Sequence, residues 1–166
     1  MKIAYVVPGI MDKEEMKRRE GLLNKWAFEG TKVIVTGVSE GPASVESMYE
    51  EYLSIPATAK KIYQLEQEGF DAAILGCAGD PGLDGMREIT TDMLVVGPGQ
   101  TSMQLAVMLG HNFSVLTVTD STVSSSYELA YKAGVKSSLA SVKPLNIPVL
   151  ELAKNREATI EKIVSI

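Results

Sequence analysis

The chain has 166 residues, of which 45% are hydrophobic and 22% charged, with a formal net charge of −5. That is enough for one ordinary domain or two small ones with a real core. No basic stripe interleaved with aromatics is present, which argues against nucleic acid as a partner, and no apolar stretch reaches the ~20 residues that cross a bilayer. The single cysteine makes no internal disulfide and fits a reducing, cytoplasmic setting.

Strand-length apolar runs alternate with stretches of helical period. "KIAYVV" (2–7) reads as the first strand, ending at Pro8 and Gly9. Residues 12–30 read as mostly helix, with Met16, Leu22, Leu23 and Trp26 on one face and Gly30 as the stop. "KVIVTGV" (32–38) is β-branched and reads as strand two, and 39–44 as loop. A helix is expected over about 57–69, with Ile62 and Leu65 inward and Gly69 at its C-terminal end. "DAAILGC" (71–77) is strand three. Asp80 is expected to cap the following helix, with Pro81 where its missing N–H costs nothing. "DMLVVG" (92–97) is strand four.

A further helix follows "GPGQTS" (97–102), with Leu105, Val107, Met108 and Leu109 among its apolar residues. "FSVLTVTD" (113–120) reads as another strand, about 123–133 as helix, 148–152 as an extended piece and 154–166 as helix. Apolar strands separated by helices imply parallel sheets covered on both faces, with ligands at the carboxyl ends of the strands. Cys77 and Pro8-Gly9 both fall at such ends. A weak internal repeat sets Ile3 against Ser114, and at that offset of about 111 residues a partner for Cys77 falls near position 188.

The bland reading of a lone cysteine after a strand is a small buried hydrophobe. Three local features compete with it. Gly76 and Gly79 bracket Cys77 and leave the backbone bare. A helix N-terminus close behind would favour thiolate over thiol. The N–H groups of Ala78, Gly79 and Asp80 are candidates to hold an anion. Elsewhere the signals are weaker. "GPGQTS" fits no phosphate-loop pattern, His111 reads as a surface loop residue, and Ser124–Ser126 reads as a helix start. Asp80 and Asp84 are accounted for by capping and first-turn charge, and no Cys/His cluster supports a metal site.

"GCAGDPGLDGMRE" (76–88) resembles the first cysteine segment of the aspartate/glutamate/hydantoin racemase superfamily, and of hydantoin racemases in particular. "GPASVES" (41–47), 95–123 and 147–160 agree in order. The resemblance implies an α/β fold of two similar flavodoxin-like lobes with parallel sheets, here 1–97 and a partial, incomplete second lobe 98–166. It also implies a racemase that needs no cofactor or metal, acting on a small-molecule substrate (a hydantoin or amino-acid derivative), and a homo-oligomer. In such a racemase Cys77 would take the α-proton as thiolate, and a second thiol, from the other lobe, would return one on the opposite face. Pro8, Gly9, Ala78, Gly79, Asp80 and Thr117 are the implied substrate contacts. The chain departs from the family at Val7-Pro8-Gly9, where hydantoin racemases often carry Asn-Pro-Asn, and in having no second cysteine. The uncapped last helix reads as the end of a fragment. A non-catalytic small-acid binder and a single-thiol decarboxylase or isomerase are the alternatives.

Overall fold

The computed structural model describes residues 1–152 and 154–166. Among them, β1 (Lys2–Val7), β2 (Lys32–Gly37), β3 (Ala72–Leu75) and β4 (Leu94–Val96) form a parallel sheet in the order β2-β1-β3-β4. Val6 lies between Thr36 and Leu75 in register. The helices of this part are α1 (Lys13–Trp26), α2 (Met48–Gln67) and α3 (Leu83–Ile89). The core joins Ala4, Val6, Ala73 and Leu75 of the central strands to Ile62 and Leu65 of α2 and Met86 of α3. Burying a side chain such as Ile62 contributes roughly 1.5–3 kcal/mol.

Helix α1 begins at the Asp12 cap, whose carboxylate accepts the Glu15 N–H at 2.8 Å, and it stops at Trp26. The expected apolar face is not how it docks: no residue of α1 is buried, and Trp26 is 75% exposed. Polar side chains hold it instead. Asn24 pairs with both the N–H and C=O of Val33, and Glu20 accepts the Val35 N–H. The reason is that β2 is an edge strand whose outward backbone groups need partners.

Helix α2 starts nine residues earlier than expected, at Met48 rather than 57, and runs through Pro56. Ser47 and Glu50 form its start: Ser47 Oγ accepts the Glu50 N–H, and the Glu50 carboxylate accepts from Glu46 N and Ser47 Oγ. On either side of Pro56, the buried hydroxyls of Ser54 and Thr58 donate to carbonyls of the preceding turn, Glu51 O and Ser54 O. Ile62 and Leu65 are buried and Gly69 closes the helix at φ +74°, both as expected.

The remaining elements are α4 (Pro98–Leu109), β5 (Phe113–Thr117), α5 (Val123–Lys132), β6 (Leu139–Pro144) and α6 (Arg156–Val164). β5 and β6 pair in parallel as a second, two-stranded sheet. β6 was not expected, and the extended piece expected at 148–152 is instead a short 3-10 turn, Val149–Glu151, following Pro148. The repeat is visible as two parallel strand–helix–strand units, β1–α1–β2 and β5–α5–β6. Met108 and Leu109 of α4 are 82% and 81% exposed. No described helix is long and apolar enough to cross a membrane.

Candidate functional site

The carboxyl ends of β1 and β3 lie side by side. Gly76 makes this possible: its N–H donates to Val6 O at 2.7 Å, and a Cβ there would sit 2.9 Å from that same oxygen. Cys77 therefore leaves the sheet beside the Val7–Pro8 link. Gly9 is held under the loop that follows β2. Ile10 N donates to Pro42 O at 3.2 Å, and a Cβ on Gly9 would lie 2.5 Å from that oxygen.

The loop after Cys77 differs from the expectation in two ways. Asp80 does not cap the next helix. That helix, α3, begins at Leu83 behind Gly82, which is in the left-handed region at φ 67° and supplies no side-chain cap. The Asp80 carboxylate turns the other way and accepts the N–H groups of Gly99 (2.9 Å) and Gln100 (2.6 Å), the first turn of α4. The "GPGQTS" segment is thus a helix N-terminus whose anion is the protein's own buried Asp80. Secondly, the Asp80 N–H is used in a turn, donating to Cys77 O at 3.2 Å. Of the three amides proposed to receive an anion, that of Asp80 is thereby spent and that of Gly79 serves the Cys77 thiol, which leaves Ala78.

Cys77 is half-buried. Burial pushes its thiol up, the Gly79 N–H aimed at the sulfur pulls it down, and the carboxylates of Glu51 and Asp80 push it up further, with a net upward shift. This is opposite to the direction expected from a helix N-terminus close behind. The physical reason is that α3 starts six residues after the thiol and the N-terminus of α4 is already occupied by Asp80. Burial likewise raises Asp80, against the pull of the Gln100 and Gly99 amides and of Arg87.

Sequence reasoning missed Glu51. It stands on α2 with Oε2 3.7 Å from the place a Cβ would take on Gly79. Burial raises its carboxyl, with Lys132 opposing and Glu128 and Asp80 reinforcing. Glu51, Tyr52, Asp80, Gln100, Glu128 and Lys132 help line a hollow of about 480 Å³ between α2, the thiol loop, α4 and α5. The Ser47-x-x-Glu50 pattern was the available signal, because it marks a helix start and places Glu51 on its first turn.

Thr117 ends β5, and its hydroxyl lies 2.6 Å from that of Thr122. The structure brings the Cys77 loop next to β1 and α4. Cys77, Pro8, Gly9 and Thr117 do not line the 480 Å³ hollow, which adjoins the thiol loop on its Gly79–Asp80 side.

Residues 19–166 match the family model described as Asp/Glu/Hydantoin racemase, and the chain belongs to that family. It is 38% identical over 137 residues to a hydantoin racemase of Pseudomonas sp. (strain NS671), an overlap covering 82% of this chain and 55% of that one. Among solved structures, an allantoin racemase from Pseudomonas fluorescens superposes with TM-score 0.88 at 27% identity, covering 99% of this chain and 69% of its own. An allantoin racemase from Klebsiella pneumoniae gives TM-score 0.89 at 23% identity, covering 98% and 65%, a likeness of fold. The chain spans about half the length of the hydantoin racemases it matches.

Proposed function

We propose that this chain carries one thiol of a cofactor-independent racemase that inverts the α-carbon of 5-substituted hydantoins or related amino-acid derivatives. The observation that carries the reading is Cys77 just past the carboxyl end of β3, beside β1, in a chain of this family. Within this reading the units are 1–97 and 98–166, divided where β4 gives way to α4, the setting is cytoplasmic, and the working form is a homo-oligomer.

The chemistry follows from acidity. A thiol of ordinary pKa ~8.5 is far too weak a base for an unassisted α-carbon, so the developing enolate oxygen must be stabilised. The N–H of Ala78, which has no partner among the described residues, is the donor available for it. Inversion needs a base on one face and an acid on the other, because one group that takes and returns a proton on one face restores the original hand. Burial and two carboxylates favour Cys77 as S–H at rest. In that state it is the acid: the S–H bond breaks, the new C–H bond forms, and the thiolate left behind is the base for the reverse direction. The partner group on the opposite face is not a cysteine of these 166 residues.

One enantiomer of a 5-substituted hydantoin, incubated in D2O, tests the reading through deuterium uptake and optical rotation. Deuterium uptake above the buffer rate with loss of rotation, both abolished in Cys77→Ala, is the expected result. Equal uptake in Cys77→Ala sinks it. A one-thiol enzyme would instead show uptake with the hand retained. A binder shows neither.

A further inference from the structure

The 41–47 loop contains a residue whose hydrogen bonds reach across the chain. Glu46 donates its N–H to the Glu50 carboxylate at 2.8 Å. Its carbonyl accepts from Thr119 Oγ1 at 3.3 Å and Ser121 Oγ at 2.5 Å. Its Oε1 accepts from Ser44 Oγ at 2.7 Å and Val149 N at 3.1 Å. The partners Thr119 and Val149 are 73 and 103 residues away.

We infer that Glu46 is a positioning residue that holds the two halves of the proposed substrate surface in register. Gly9 follows β1 of one sheet and Thr117 ends β5 of the other. The loop of Glu46 touches both sides. At one end Pro42 O accepts the Ile10 N–H and crowds Gly9. At the other, Glu46 grips the turn in which Thr119 and Thr122 cap each other and Thr122 Oγ1 meets Thr117 Oγ1. Val149, the third point of attachment, begins the 3-10 turn after Pro148. A displacement of Glu46 therefore moves the end of β5 relative to the Gly9 loop, while Cys77, fastened through Gly76 and Asp80, keeps its place.

The inference rests on the racemase reading for the roles of Gly9 and Thr117, and its test separates the two. Amide hydrogen exchange at Val149 is compared in wild type, Glu46→Gln and Glu46→Ala, and exchange over 117–122 in wild type and Ser121→Ala, because Thr119 and Ser121 donate to the Glu46 main-chain carbonyl, which both Glu46 variants keep. Gln keeps an oxygen acceptor and exchanges like wild type, whereas Ala exchanges about tenfold faster, the effect of losing one hydrogen bond. NMR titration with a 5-substituted hydantoin gives about tenfold weaker binding for Ala, near-wild-type binding for Gln, and an unchanged rate of Cys77 alkylation in both. Ser121→Ala removes one donor to the Glu46 carbonyl and is expected to speed exchange over 117–122; it also keeps the test open if Glu46→Ala unfolds. Unchanged protection of Val149 in Glu46→Ala, unchanged protection over 117–122 in Ser121→Ala, or an equal loss of affinity in Glu46→Gln and Glu46→Ala, overturns the role of Glu46. A wild type that does not bind hydantoin overturns the racemase reading, and the exchange data then decide Glu46 alone.

Discussion

Asp80 lies across the start of α4 and accepts the Gly99 N–H at 2.9 Å and the Gln100 N–H at 2.6 Å. It does so from the left-handed region, at φ 53°, which a non-glycine residue adopts only when its surroundings hold it there. Asp80→Asn keeps one acceptor and turns an NH2 toward the other amide. The expected cost is about 1.5–3 kcal/mol, the scale for hydrogen bonds to a charged group, read as a lower midpoint in urea denaturation. Inorganic phosphate should not raise the melting temperature of wild type through this helix end, because the carboxylate already fills it.

The thiol should titrate late. With burial and two carboxylates pushing Cys77 up, the pH profile of its alkylation by iodoacetamide should have a midpoint above that of a free thiol, ~8.5. Glu51→Gln removes one negative neighbour and should lower that midpoint. A wild-type midpoint below the free-thiol value contradicts the described electrostatics.

Two glycines should respond oppositely to alanine. At Gly99 a Cβ would run into the carbonyl oxygen of Ala78 and the side chain of Leu129, so Gly99→Ala must push the thiol loop and α4 apart. A loss of about 1–3 kcal/mol is expected, as for overpacked sites. At Gly21, inside α1, nothing lies within 4 Å of the added Cβ. Gly21→Ala should stabilise by about 0.5–1 kcal/mol through helix propensity. Thermal unfolding of both variants checks the pair.

Acid should loosen α1 in a defined window. Glu15 pairs with Arg18 and Arg19 at 2.6 and 2.8 Å, and these partners lower its carboxyl from 4.5 to about 2. A carboxyl depressed on folding stabilises fully above its unfolded pKa, and that stability is lost as the pH falls from 4.5 toward 2. The pairs are largely solvent-screened, so the amount is below about 1 kcal/mol. Glu15→Gln should flatten this limb of the stability–pH curve. Asp80 and Glu51 slope the other way, since their carboxyls are raised by burial and the folded form holds those protons more tightly.

Much of the four-stranded sheet was legible because its central strands are short apolar runs bounded by glycine, proline and aspartate. The helix expected over about 57–69 starts just after Pro56, whereas α2 runs through that proline. What overrides it is tertiary: Ile62 and Leu65 are buried against the sheet, and the hydroxyls of Ser54 and Thr58 occupy carbonyls around the break. β6 was invisible because "LASVKP" alternates half-exposed polar and small residues with a single buried one, Val142, and has no apolar run. At the site, the position of Cys77 at a strand end followed from local pattern. The destination of Asp80 did not, because Gly99 is 19 residues away and no local rule distinguishes a cap on α3 from one on α4.

The way Asn24 and Glu20 occupy the outward backbone of β2 limits how copies of this molecule can meet. A neighbouring strand approaching that rim would find both backbone groups of Val33 and the N–H of Val35 already engaged, which works against lengthening the four-stranded sheet there into a continuous ribbon.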